Sequence, residues 1–198
     1  MTQEIEAKIL NIDIVKITNS LHKIGAEKQE EVFFRSTSFD FPDFILDKNM
    51  SLLRLRDDGK KVKLAYKKRL GVTGIKGQND SGMEEIEIEV DNYEKTILIL
   101  QKIGMIVKFS QEKKRTTWKK DGITFDIDTW PRLKPYLEIE AESWKEIDDV
   151  ILKLGFELKD KVICSATQVY EMNGINDKDY TVMNFDEWVK RDGTILRI

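Results

Sequence analysis

Glu-Ile-Glu recurs along this chain, at residues 4–6, 85–89 and 138–140, and after the first occurrence Lys8 takes the next alternate position. Successive side chains of an extended strand point to opposite faces. Glu4, Glu6 and Lys8 therefore share one side, and Ile5, Ala7 and Ile9 the other. The same alternation places Arg54 with Arg56, Lys63 with Lys67, Glu85 with Glu87, Lys113 with Arg115, and Asp126 with Asp128. Carboxylates in a row are chemistry for a hard divalent cation, which takes oxygen ligands, keeps some waters and bridges to phosphates. Guanidinium groups give phosphate planar, paired donors, and ammonium groups give it a mobile charge. On this reading Glu4 and Glu6 are candidate metal ligands and Lys8 is a phosphate contact.

The ordinary alternative is the solvated side of a one-sided antiparallel sheet. Such a face intermixes signs, because like charges directly opposite each other destabilise by roughly 0.2–1 kcal/mol a pair. Here whole strands carry one sign. The acidic ones begin near Glu4, Glu85, Asp126 and Glu138, and the basic ones hold Arg54/Arg56, Lys63/Lys67 and Lys113/Arg115.

The elements that must position these groups repeat. Each Glu-Ile-Glu segment is followed by a helical apolar stripe closing on a glycine: Ile14, Ile17, Leu21 and Ile24 before Gly25; Ile97, Leu100 and Ile103 before Gly104; Ile147, Val150, Ile151 and Leu154 before Gly155. Such stripes must be buried, and the apolar strand faces are the surfaces available. Further strands are expected at about 27–41, 50–56, 61–69, 106–119 and 122–129, with Asp57-Asp58-Gly59 and Lys120-Asp121-Gly122 as hairpin turns. That is about eight antiparallel strands with interspersed helices, an α+β chain whose sheet is expected to curl into a closed barrel with a charged lumen. Residues 71–82, rich in Gly, Asn, Asp and Ser, read as a mobile loop. One domain is expected over 1–174, with 175–198 as a C-terminal extension packing on the barrel or on a second subunit of a homodimer.

Bulk properties restrict the function classes. The chain has 198 residues, 33 Lys plus Arg against 36 Asp plus Glu, so its near-cancelling charge gives no general pull toward nucleic acid or an anionic membrane. Cys164 is the single cysteine, which excludes an internal disulfide and a Cys-based structural zinc site. Residues 1–10 have no apolar signal-like core, and no apolar run reaches the ~18 residues of a bilayer span. A soluble, cytoplasmic protein is expected.

The ordered series "EIEAK" (4–8), "FDFPD" (39–43), "LRLR" (53–56), "LAYK" (64–67), "EEIEIEVD" (84–91), "KKR" (113–115), "FDIDTWP" (125–131) and "YLEIE" (136–140) resembles the CYTH superfamily of triphosphate tunnel metalloenzymes. That superfamily includes class IV adenylate cyclases, thiamine triphosphatases and tripolyphosphatases. The resemblance implies an eight-stranded antiparallel β-tunnel holding a triphosphate and Mg²⁺ or Mn²⁺. It implies Glu4, Glu6, Glu138 and Glu140 as metal-facing carboxylates, with Asp128 as a further ligand and Glu85 and Glu87 assisting at the substrate. Asp128 is preferred to Asp126 for its spacing to Glu138. Lys8, Arg54, Arg56, Lys67, Lys113 and Arg115 are implied as the phosphate cradle, and Glu4, Glu6, Lys8 and Asp128 as the catalytic set. Lys68-Arg69 and Leu133-Lys134-Pro135 depart from the family pattern at the tunnel rims, which bears on the leaving group.

Three functions fit these expectations: a metal-dependent hydrolase of inorganic or organic triphosphates such as tripolyphosphate, ATP or thiamine triphosphate; an adenylate cyclase making cyclic AMP and pyrophosphate; and a non-catalytic polyphosphate or nucleotide binder. His22, Cys164 and the four tryptophans are expected to serve packing, with Trp130 nearest a tunnel rim.

Overall fold

The computed structural model describes residues 5–69 and 83–197; Glu4 and the 71–82 segment lie outside the described residues. Helix α1 (Ile14–Lys23) starts where the Asp13 carboxylate accepts hydrogen bonds from Val15 N and Lys16 N. It stops at Gly25, whose φ of +81° is the left-handed conformation a glycine adopts without steric cost, and Ala26 N closes on the Leu21 carbonyl. α3 (Tyr93–Lys102) and α4 (Trp144–Lys153) repeat the design with Asn92 and Ser143 as caps. The three repeated helices therefore occupy the three predicted stripes. Two shorter helices join them, α2 (Ile45–Lys48) and α5 (Ala166–Met172). Asp40 of the "FDFPD" segment accepts from Phe41 N, Leu46 N and Asp47 N, so this buried carboxylate builds the corner leading into α2.

The strands are β1 (Ile5–Ile9), β2 (Glu27–Asp40), β3 (Ser51–Asp57), β4 (Val62–Arg69), β5 (Met83–Val90), β6 (Ile106–Lys120), β7 (Ile123–Thr129), β8 (Tyr136–Ala141), β9 (Lys161–Val162), β10 (Tyr180–Met183), β11 (Glu187–Lys190) and β12 (Ile195–Arg197). They form one twelve-stranded sheet in the order β5-β4-β3-β2-β6-β7-β8-β1-β9, with β10 on β6 and β11 and β12 following it. The expected closed eight-stranded barrel is thus corrected on both points. The eight expected strands are β1–β8, but the sheet is open: among the described residues β5 pairs only with β4, while the far side of β1 is taken by β9. With β9 on β1, no edge of β1 is left for β5 to pair with at Lys8 and Ile9. The extra strands are two to four residues long, too short for an alternation signal.

The outward faces of β1, β7 and β8 bury Ala7, Ile9, Phe125, Ile127, Leu137 and Ile139 against Ile17 and Leu21 of α1 and Ile147 and Ile151 of α4. A second cluster packs Phe39 and Leu55 against Tyr93 and Leu100 of α3. Ile86 and Ile88 of β5 stay 60% and 55% exposed, so of the apolar face the periodicity had implied as buried, Val90 alone packs on the α3 cluster among the described residues.

Candidate active site

Register decides which side chains meet. Across β1 and β8, Glu6 stands opposite Glu140 and Lys8 opposite Glu138; across β7 and β8, Asp126 stands opposite Glu138. Arg115 of β6 faces Asp128 of β7, and Phe34 of β2 faces Lys113. Ser36 and Ser38 face Arg56 and Arg54 of β3, and at the edge Lys67 of β4 faces Glu85 of β5. Directly paired residues project to the same face of a sheet, so every described candidate lies on the side away from α1, α3 and α4. Arg56 of β3 and Asp128 of β7 are three strands apart in the order, with Arg115 of β6 between them on the same face.

The centre of the face is withdrawn from bulk water, with Asp128 0%, Lys8 3% and Lys113 7% exposed, whereas Glu6 is partly exposed and Glu140, Glu85 and Glu87 are exposed. Lys8 Nζ lies 2.8 Å from Glu138 Oε2 and 3.0 Å from Glu6 Oε1. Burial pulls the Lys8 pKa down, but Glu138 and Glu6 outweigh it and hold the ammonium above its ordinary value. Burial likewise pushes Glu138 up, and Lys8, Arg115 and Lys113 overcome that and bring it to about 2. Arg115 is the hub. Its Nε and Nη2 each donate to Asp128 at 2.6 Å, Nη2 also reaches Glu138 Oε1 at 2.9 Å, and Nη1 reaches Asp126. Lys113 Nζ donates to Asp128 Oδ2 at 3.0 Å and lies 5.3 Å from the Phe34 and Trp130 rings. Burial brings its pKa down to about 8, against the raising influence of Asp128.

The other half of the face is not balanced in this way. Arg54 and Arg56 each bury an Nε that has no hydrogen-bond partner, and Ser38 Oγ beside them is also unsatisfied. Burial first, then the neighbouring cations, oppose the charge of both guanidinium groups. With Ser36, Gln111, Glu112, Lys113 and Trp130 they line a cavity of about 20 Å³, in which three cations face one carboxylate. At the outer strands Lys67–Glu85 at 2.8 Å and Lys63–Glu87 at 2.7 Å form exposed-edge pairs. The face therefore runs from a carboxylate-rich wall on β1 and β8, through the Arg115 hub, to a pocket of surplus positive charge.

The β2 contribution was missed in the sequence. Phe34, Ser36 and Ser38 sit in the middle of the face, and their alternation within "FFRSTSFD" was the available signal. Of the expected ligands, Asp128 is engaged by Arg115 and Lys113, and Glu138 by Lys8 and Arg115. Among the described residues no three acidic, histidine or cysteine side chains converge as a ready metal cage.

A model of the CYTH domain matches residues 2–169. The chain belongs to the CYTH family. A Methanocaldococcus jannaschii protein named "Putative adenylate cyclase" is 30% identical to this CYTH chain over 179 residues, 87% of the chain and 90% of the relative. A Pyrococcus horikoshii structure superimposes with a TM-score of 0.65 at 24% identity, covering 80% of this chain and 94% of that one. A Hippeastrum structure, described as an adenylyl cyclase in name with a dominant triphosphatase activity, gives a TM-score of 0.61 at 16% identity, covering 86% and 96%. Both structural likenesses establish the fold. Among the described residues, no helix of this CYTH chain is long and apolar enough to cross a membrane.

Proposed function

We propose that this CYTH chain binds a triphosphate along the charged face, with Mg²⁺ or Mn²⁺, and hydrolyses it to a diphosphate and phosphate. The observation that carries the reading is the buried, unpartnered Nε of Arg54 and of Arg56 beside Lys113. An unmet buried donor costs about 1–3 kcal/mol, more when charged, and a phosphoryl group supplies the missing acceptors. One anionic group would sit at Arg54, Arg56 and Lys113, and the rest of the chain of phosphates would run past Arg115 and Lys8 toward β8.

The donor chemistry on β1 and β8 suits the cation. Mg²⁺ is held by one or two carboxylates plus substrate phosphates rather than by a complete protein cage. Glu6 and Glu140, opposite each other across the ladder, would hold it. The bound cation would neutralise phosphate oxygens and lower the charge barrier to attack. The side chains of this chain do the positioning. Asp128 fixes the Arg115 fork and shares its second oxygen with Lys113, so both cations point along the face without free rotation. Glu138 fixes Lys8 in the same way. Phosphoryl transfer gains most of its rate from such fixed charges. Water attacks the terminal phosphorus, the bond from that phosphorus to the bridging oxygen breaks, and the leaving diphosphate departs with its charge offset by Arg115 and Lys8.

The name carried by the 30% identical relative favours a second reading, in which the ribose 3′-hydroxyl of ATP is the nucleophile and the products are cyclic AMP and pyrophosphate. Incubation with tripolyphosphate or ATP and either cation, with the products resolved, tests both. Diphosphate plus phosphate supports hydrolysis; cyclic AMP with pyrophosphate selects the cyclase. Tight binding without turnover of either compound would reduce the role to a binder.

A further inference from the structure

The family match ends at residue 169, yet the segment beyond it touches the site from two sides. β6 and β7 pair only as far as Lys114 opposite Thr129. Lys113 is thus the first residue past the fork where the two strands part, and Asp128 is the last acid before it. A fork in a sheet exposes a strand edge and lets water reach the groups at its apex. Here β10 enters the fork, pairing Val182 with Ser110 and Met183 with Gln111 in parallel. The Phe185 N–H then donates to Glu112 Oε2 at 3.0 Å, next to Lys113 itself.

On the other prong, Trp188 of β11 is wholly buried in a cluster with Trp130, Leu133, Tyr136 and Tyr170. Tyr170 lies edge-on to both Trp188 and Trp130, and its hydroxyl donates to the Pro131 carbonyl at 3.1 Å. Arg132 holds a left-handed φ of +59°, a conformation costly to a non-glycine residue. Its guanidinium is stacked 4.7 Å over the Trp188 ring. The Trp130–Arg132 turn is therefore pinned from the C-terminal side, and Trp130 forms the wall against Lys113.

We infer that the β10–β12 segment is a positioning element of the anion site: it closes the β6–β7 fork and, through Trp188 and Trp130, fixes Lys113 and keeps its pocket dry. The inference rests on the triphosphate reading above. Trp188 and Phe185 are positioning residues, since neither lines the pocket. The segment supplies no phosphate ligand of its own.

The test uses the full chain and inorganic tripolyphosphate as probe, followed by calorimetric titration and by kcat and KM where turnover is found. Displacements of about 1 Å in a charged site cost up to about a hundredfold. Trp188→Ala, verified as folded by circular dichroism, is expected to weaken tripolyphosphate binding about tenfold or more and to raise KM more than it lowers kcat. Trp188→Phe keeps a ring under Arg132 and restores most of the affinity. Phe185→Pro removes the donor to Glu112 without touching Trp188, and is expected to weaken binding several-fold. Ile195→Ser, on the exposed side of β12, lowers the melting temperature without changing affinity. Native affinity in folded Trp188→Ala and Phe185→Pro overturns the inference while leaving the triphosphate reading intact; should Trp188→Ala not fold, Phe185→Pro decides alone. A wild-type chain that fails to bind tripolyphosphate overturns both.

Discussion

Arg115 and Arg56 are the same residue type on the same face with opposite situations. Arg115 meets Asp126, Asp128 and Glu138, whereas Arg56 buries its Nε against nothing that accepts it. Removing each side of these arrangements should have different effects. Arg56→Ala is expected to leave folding stability nearly unchanged, since it deletes a partly buried cation whose Nε has no acceptor, and to weaken tripolyphosphate binding. Charge-assisted hydrogen bonds are worth about 1.5–3 kcal/mol, so the dissociation constant should rise about tenfold to a hundredfold. Unchanged affinity by titration would remove Arg56 from the site. Asp128→Asn instead frees Arg115 and Lys113 from a fully buried counter-ion and should destabilise the fold by about 3 kcal/mol; a denaturant midpoint equal to the wild type's would contradict the structural reading of this residue.

The repeated strand–helix unit explains why the periodicity of the sequence transferred so directly. Each stripe lies on a helix of ten residues with a side-chain cap, and two of the three bury their stripe on β1, β7 and β8. The caps are separable from the site. Asp13→Ala removes two hydrogen bonds to the first turn of α1 at an exposed position and should cost about 1 kcal/mol, visible as a fall in melting temperature of about 2–4 °C for a chain of this size. Tripolyphosphate affinity should stay the same, because α1 lies on the opposite side of the sheet. Where pattern reading failed, the elements were short or at an edge. β9 to β12 span too few residues to alternate visibly, and Ile86 and Ile88 alternate correctly but stay exposed, only Val90 of that strand packing on the α3 cluster among the described residues.

For the whole molecule the charged face links folding to pH. The Glu138 carboxyl titrates at about 2 in the folded protein, against about 4.3 in an unfolded chain. A depressed carboxyl contributes stability that is fully present above the unfolded value and is lost as pH falls through the folded one. In chelator-treated protein, stability measured by denaturant unfolding should therefore be steady above about pH 5 and decline steeply from there toward pH 2. Glu138→Gln should flatten that decline, and an identical acid limb in the variant would show that other carboxyls carry it.

The sequence alone determined the strand faces, the repeated helices and the family, because alternation and apolar stripes closing on a glycine are local properties written in neighbouring residues: Glu6 with Lys8, Arg54 with Arg56, Leu21 and Ile24 before Gly25. Only the tertiary structure decided that the sheet stays open, that Phe34, Ser36 and Ser38 complete the charged face, and that Trp188 is linked through Tyr170 to Trp130 beside Lys113. Those outcomes depend on register and on contacts between residues far apart in the chain. Which cation is neutralised by which acid is likewise a property of distance in space, and alternation fixes only the side of the sheet on which each group stands.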